Sequence, residues 1–190
     1  FRTSEFDCIR IDNRMAAFRA VNILLEHNHR KIAVICSDNE NEYTGYERYK
    51  GYLDAMEQAG IEVPPQYQKT GRHSIEFGQN SMRELLRLED RPTAVFMSNY
   101  EITLGAVMAL NESGMQCPED ISMLGFDDLI LSHLVKPQMH MVVQPMKEMS
   151  EKAVEILLHH VRSKNKKEDI PVEIIMGTRI REGNSVVRLP

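Results

Sequence analysis

Short apolar runs alternate with amphipathic helical stretches along most of this chain, and few folds accept that alternation. An apolar run of four to six residues with no polar interleaving reads as a strand buried on both faces. Helices between such runs supply the cover, so the pattern means an α/β fold: a mainly parallel sheet with helices on both faces. The clearest runs are Lys31-Ile32-Ala33-Val34-Ile35-Cys36, Thr93-Ala94-Val95-Phe96-Met97 and Ile121-Ser122-Met123-Leu124-Gly125. Residues 7–12 alternate like a strand, and a weaker strand near 66–70 ends at Gly71. Further strands are expected at 139–143, 172–176 and about 179–187.

The helices carry their own punctuation. Asn13 can cap a helix to about residue 27, with Ala17, Val21, Leu24 and Leu25 on one face, and Asn28 takes the left-handed position that ends it. The next helix runs from Tyr43 to Ala59, stops at Gly60, and carries Tyr49, Tyr52, Leu53 and Met56 as its stripe. Gly51 inside it costs roughly 1 kcal/mol relative to Ala, which a close approach of helix to sheet would explain. Helices follow at 75–88 and 100–112, the latter stopped at Gly114. The last long helix spans Pro145 to Arg162, with Pro in its favoured first turn and Met149, Ala153, Ile156, Leu157 and Val161 as its stripe. A polar, Lys-rich linker covers 163–169.

Composition narrows the function classes. Hydrophobic residues make up 42% and charged residues 27%, the balance of a soluble globular protein. A net charge of -5 argues against this piece gripping a phosphate backbone. No run approaches a membrane span, and Phe1-Arg2-Thr3-Ser4 does not read as the charged-then-apolar start of a signal peptide. The three cysteines, Cys8, Cys36 and Cys117, are odd in number and far apart, which suits free thiols in a reducing cytoplasm, with Cys36 buried.

In an open parallel sheet, ligands bind beyond the carboxyl ends of the strands, where helix N-termini also point. The polar residues expected on that rim are Ser37, Asp38 and Asn39, then Arg48; Arg72, His73 and Ser74; Ser98 and Asn99; Asp127 and Asp128; and Gln144. Together they offer a guanidinium, carboxylates, amides and a flat imidazole, a set suited to a polyhydroxylated ligand or an acidic sugar. Each also has a plainer role. Arg48 could pair with Glu47 or Glu42 on the surface, Asn99 could serve only as a helix cap, and Asp127 with Asp128 could form a turn. A lone loop histidine such as His73 is more often solvated than functional.

Several stretches in register resemble the lac-repressor/galactose-repressor family of transcription regulators. They are Pro92 to Asn99, Leu104-Gly105-Ala106, Ala109 to Gly114, Val143-Gln144-Pro145-Met146, His29 to Ala33, and the spacing from Arg48 to Gly51 before Tyr52. The most specific is Pro118-Glu119-Asp120-Ile121-Ser122-Met123-Leu124-Gly125-Phe126-Asp127-Asp128. The resemblance implies a periplasmic-binding-protein-like fold (type I) of two subdomains with an effector between them. Residues 1–141 and 171–190 would form the C-terminal subdomain and 142–170 part of the N-terminal one, with no DNA-binding domain in this stretch. It implies that Arg48, Asn99 and Asp127 hydrogen-bond the effector, that His73 stands where relatives place a stacking aromatic, and that Gln144 lies at the crossover. It also implies a homodimer through Ile75, Leu104, Met108, Leu131 and Leu134. The effector would be a sugar, sugar acid or sugar phosphate, and operator DNA would be met only through the missing domain. Tyr100 replaces the usual Asp after Asn99, and Met139-His140-Met141 replaces Leu-Thr-Thr, so the effector's identity does not transfer.

The stripe of the last helix is then expected to need a partner, on a second chain, on the remaining sheet or by a swap. No cofactor, metal or enzymatic activity is expected. Asp127 and Asp128 are adjacent, so their side chains would diverge rather than act as acid and base, and no phosphate loop or nucleophile elbow appears. The pairs His27/His29 and His159/His160 read as solvated rather than as metal ligands. The rival readings are a transporter's solute receptor of the same fold, and a core that senses a carrier protein in place of a sugar.

Overall fold

The computed structural model describes residues 6–37, 43–127, 135–162 and 171–190. Its strands are β1 (Cys8–Ile11), β2 (Ile32–Cys36), β3 (Gln68–Thr70), β4 (Ala94–Met97), β5 (Ser122–Phe126), β6 (His140–Val143), β7 (Glu173–Met176) and β8 (Arg179–Arg181). Its longer helices are α1 (Asn13–Glu26), α2 (Tyr43–Gln58), α3 (Ile75–Leu86), α4 (Tyr100–Ser113) and α5 (Met146–Arg162). The chain divides into two compact units, Asn13–Val143 with Ile180–Pro190, and Phe1–Asp12 with Gln144–Arg179.

The larger unit is built on a six-stranded sheet in the order β3-β2-β4-β5-β6-β8. The pairs β2–β3, β2–β4, β4–β5 and β5–β6 are all parallel, so five carboxyl ends share one edge. Every residue of β2, β4 and β5 is buried, as continuous apolar runs require of strands covered on both faces. Successive side chains point to opposite faces. Ala33, Ile35, Val95, Met97, Met123 and Met141 share a core with α3 and α4, while α1 and α2 lie against β2, β4 and β6.

Helix ends follow the predicted chemistry. Asn28 sits at φ 66, and the N–H groups of Asn28 and His29 donate to the carbonyls of Leu25 and Leu24 at 3.0 and 3.1 Å. Gly60, at φ 66, closes α2 in the same way. Ser74 caps α3 by accepting from Phe77 N at 3.1 Å. Cys36 is fully buried.

Two expectations need correction. Gly51 serves a helix–helix contact rather than a helix–sheet one: a Cβ there would lie 2.1 Å from the carbonyl oxygen of Arg14 in α1. The strand expected over 179–187 ends at Arg181. Beyond it the chain runs on as a tail, with Ser185 O accepting from Met123 N at 2.8 Å and Leu189 N donating to His27 O at 2.9 Å. The two compact units part at 143/144, and β1 and β7 pair with each other in the smaller unit as a separate two-stranded parallel sheet.

In that smaller unit, Asp7 ties the strands to α5. Its carboxylate accepts from Val172 N at 2.8 Å and contacts His160 Nε2 at 2.6 Å. Met149, Lys152, Ile156 and His160 are the half-buried residues of α5 at helical spacing, and no residue of α5 is fully buried. The stripe is therefore only partly met: Leu157 and Val161 remain 63% and 73% exposed. The linker 163–169 lies outside the described residues.

Candidate functional site

Arg48 stands in the second turn of α2, which starts at the carboxyl edge of the sheet, and its side chain is buried. Its Nε donates to Asn13 Oδ1 at 2.8 Å, and its Nη1 donates to the backbone carbonyl of Ser98 at 2.6 Å and to Asp127 Oδ2 at 3.2 Å. The Phe126 ring lies under the guanidinium, 3.5 Å from its carbon to the ring centroid. The Nη2 group has no hydrogen-bond partner among the described residues. Burial pushes the guanidinium's pKa down from its ordinary value, and the charge of Asp127 opposes that shift. Arg48 does not pair with Glu47, which faces Lys50 at 3.8 Å; the alternative partner Glu42 lies outside the described residues.

Asp127 follows β5 directly and has φ +68, a left-handed backbone that a non-glycine residue adopts at some cost. Its N–H donates to Val142 O at 3.0 Å, so the neighbouring strand holds it. Asp128 lies outside the described residues, as do Asp38 and Asn39.

Asn99 does act as a cap: its Oδ1 accepts from Ile102 N at 2.8 Å. That bond uses the carbonyl oxygen and leaves Nδ2 uncommitted among the described residues. Just before it, Ser98 is fully buried, and its Oγ has no hydrogen-bond partner among the described residues. His73 is half-buried, not solvated. Its ring lies against Gly45, where a Cβ would meet Nε2 at 2.7 Å and Ser37 Cβ at 2.8 Å. Glycine at 45 therefore lets the loop after β3 close over the start of α2. Arg72, one residue earlier, is exposed.

The structure joins Arg48 and Asp127 directly, brings Asn99 beside them through Ser98, and sets His73 on the same edge one helical turn before Arg48. Gln144 belongs to the smaller unit, where its carbonyl accepts from Met146 N at 2.9 Å. Sequence reasoning missed two participants: Asn13 read only as a helix cap, and Phe126 enters through a tertiary contact that no local pattern signals, whereas Ser98, expected on the rim, takes part through its backbone carbonyl.

The expected dimer residues divide. Ile75 and Met108 are 38% and 41% exposed, Leu104 is half-buried, and Leu131 and Leu134 lie outside the described residues. Two histidines differ from expectation. His29 is fully buried, with Nδ1 2.9 Å from Thr93 Oγ1 and Nε2 3.0 Å from Val187 O, and His160 faces Asp7. Burial explains the first and the β1–α5 packing explains the second. Among the described residues no three His, Cys, Asp or Glu side chains gather as a metal site, and no helix is long and apolar enough to cross a membrane.

Comparison with known proteins agrees with this fold. The profile of the periplasmic binding protein-like domain matches residues 21–186. The HTH-type transcriptional repressor CytR of Escherichia coli is 36% identical over 184 residues, which cover 97% of this chain and 51% of that protein. The chain spans about half the length of the curated relatives it matches. Among solved structures, a LacI transcriptional regulator of Bacillus cereus superposes with a TM-score of 0.89 at 26% identity, covering 100% of this chain and 66% of that one. The transcriptional regulator CelR in complex with cellobiose superposes with a TM-score of 0.85 at 28% identity, covering 96% and 54%.

Proposed function

The chain belongs to the periplasmic binding protein-like family, in its lac-repressor/galactose-repressor branch, and from that premise we propose that it is the effector-sensing core of a DNA-binding transcription regulator of the bacterial cytoplasm. A sugar-type small molecule, held in a cleft between two lobes, changes the protein's affinity for operator DNA. The observation that carries this reading is the buried Arg48 anchored by Asn13, Ser98 and Asp127 at the carboxyl edge of a parallel sheet. A buried cation with a donor group left over, beside a strained carboxylate residue, is costly unless something uses it. CelR, of the same architecture, is solved with cellobiose.

In this reading Arg48, Asp127 and Asn99 hydrogen-bond the effector, His73 lies against one of its faces, and Gln144 marks a crossing between lobes. The smaller unit is a portion of the second lobe. The exposed apolar residues Met146, Val154, Leu157, Leu158 and Val161 of α5 support that assignment, since a complete lobe would cover them. The regulator is a homodimer that uses Ile75, Leu104 and Met108 with Leu131 and Leu134, and ligand-driven movement of the lobes alters the spacing of its DNA-reading heads.

A thermal-shift screen of the intact protein against sugars, sugar acids and sugar phosphates tests the proposal. An effector at about 100 times its Kd stabilises by about 2.7 kcal/mol, roughly 5–10 °C in Tm for a domain of this size. Arg48→Met should abolish that rise. A rise unaffected by Arg48→Met would place binding elsewhere and overturn the assignment.

A further inference from the structure

We propose that the larger unit carries a second small-molecule site, on the edge of its sheet opposite Arg48, and that this site takes an aromatic α-amino acid. The inference goes beyond the sensor reading and uses no residue of the Arg48 edge.

A cavity of about 560 Å³ opens where the chain enters β5 and β6. That volume falls within the roughly 300–1,000 Å³ of small-molecule pockets. Residues 115–119 lead into β5 and residues 135–139 into β6, so the cavity lies at the amino ends of these strands, whereas Asp127 follows the carboxyl end of β5. The length of β5 puts roughly 15 Å between the two edges. The cavity walls are pinned. Met123 N and the Cys117 thiol donate to Ser185 O at 2.8 and 3.4 Å, and Ser185 Oγ accepts from His140 N at 2.7 Å and donates to Met123 O at 2.6 Å. These bonds fix the C-terminal tail, and with it Asn184, beside the cavity. Burial pushes the Cys117 thiol up to about 12, so it is a neutral wall and not a nucleophile.

The floor selects an aromatic body. Leu110, Met123 and Met139 are buried there, and Met115 is half-buried. Three thioethers around one cavity favour a ring, because sulfur packs well against aromatic groups and the unbranched methionine side chain adapts to a flat ligand. The rim selects a zwitterion. Glu119, from the loop before β5, and Lys136, from the loop before β6, both line the cavity, and neither forms an ion pair among the described residues. Two neighbouring charges are engaged: Asp120 accepts from Gln116 N at 2.8 Å, and Arg91 donates to Met115 Sδ at 3.3 Å. Helix α4 also ends here, and its last carbonyls favour an ammonium group. A carboxylate at Lys136 and an ammonium at Glu119 answer both charges, whereas a ligand with one charge answers one.

Other ligand classes fit less well. A sugar would press hydroxyls against methionines and leucine, which offer them no strong partner. A phosphate would find one lysine on the rim with a glutamate beside the same cavity. A purely aliphatic ligand would use the floor and leave the rim charges idle. Glu119 and Lys136 are both exposed, so neutral variants at these positions should fold.

The test is calorimetric titration of the intact protein with L-tryptophan, with tryptamine, which lacks the carboxylate, and with indole-3-propionate, which lacks the ammonium. L-Tryptophan should bind about fivefold tighter than either analogue. Lys136→Gln should erase its advantage over tryptamine and keep that over indole-3-propionate, and Glu119→Gln should do the reverse. Lys136→Ala and Glu119→Ala serve as second variants should the first fold poorly. L-Phenylalanine should compete with L-tryptophan, and L-leucine should compete more weakly. Failure of L-tryptophan to bind at about 1 mM, as expected if a second copy of the chain closed the cavity mouth, overturns the inference. So does a preference among the three indoles that the variants leave unmoved, or L-leucine binding as tightly as L-phenylalanine.

Discussion

The same kind of helix meets opposite fates in the two units of this molecule. In the larger unit, α1 buries Ala17, Val21, Leu24 and Leu25 completely or nearly so, against strands that are themselves wholly buried. In the smaller unit, α5 has an equally regular apolar stripe, yet none of its residues is buried, and β7 alternates between exposed and half-buried. Amphipathic patterning thus specifies where a helix wants cover and says nothing about whether the cover is present. Most helical stability in proteins comes from tertiary packing of the apolar face, so the two units should answer very differently to the same kind of substitution.

The largest contrast is expected from truncating apolar side chains. Phe96 is fully buried in β4, and Phe96→Ala should cost about 3–5 kcal/mol in urea unfolding. Leu157→Ala, on the exposed stripe of α5, should stay within about 0.5 kcal/mol. A comparable loss at Leu157 would break the comparison, because it would mean that the stripe is covered in solution. A smaller contrast uses glycine. A Cβ at Gly105 would lie 2.0 Å from the Ile75 carbonyl oxygen in α3, so Gly105→Ala should cost about 1–3 kcal/mol through overpacking. Gly177, between β7 and β8, has nothing within 4 Å of its added Cβ, and alanine there should be near neutral by the same measurement.

The contrast between units also governs what could be read from the sequence. Continuous apolar runs located β2, β4 and β5, and Asn28, Gly60 and Asn99 marked helix ends, because both signals are local. The partners of β1 and β7 were not legible. Each is a short strand whose neighbour lies more than 160 positions away, and only the smaller unit's own packing selects it. The site divides in the same manner. Arg48, Asn99 and Asp127 could be named because each follows a recognisable strand. Asn13 could not be named as the residue that holds Arg48 Nε, since its cap-like position explained it already. Gly51 was noticed for the right reason, a close approach, but the approaching surface was another helix, which no pattern within α2 reveals.

Proton linkage distinguishes the units next. In the larger unit, burial lowers the pKa of His29 and of His140 below the ordinary imidazole value. Each is therefore neutral in the folded protein under conditions where the unfolded chain binds a proton. The stability they contribute is present above about pH 6.5 and declines as pH falls below it toward the folded values. In the smaller unit, the Val172 N–H and then His160 hold the Asp7 carboxyl below its ordinary value, so its contribution persists until pH falls below the carboxylate range. Urea midpoints measured from pH 8 to pH 5 should therefore drop for the larger unit, with a shallower slope in His29→Asn. A flat profile would mean that His29 is not buried in its neutral form.

The smallest effects belong to exposed ion pairs, and here the order of the units should reverse. Arg83 joins Glu112 at 2.7 Å across α3 and α4, and Arg10 joins Glu173 at 2.7 Å across β1 and β7. Both are solvent-exposed, so each is worth at most about 1 kcal/mol. The α3–α4 contact, however, is already fixed by the glycines at 78 and 105, where backbone approaches backbone. The β1–β7 pair has no such interlock and is a two-stranded sheet, a form of marginal stability in water. Losing the Arg10 pair should therefore remove a larger share of what holds its strands together. Hydrogen exchange of the β1 amides, beginning with Cys8 N bonded to Val172 O at 2.9 Å, should accelerate in Arg10→Ala, whereas the α3 and α4 amides should barely change in Arg83→Ala. Equal acceleration in both would show that the smaller unit draws its order from packing as firm as that of the larger.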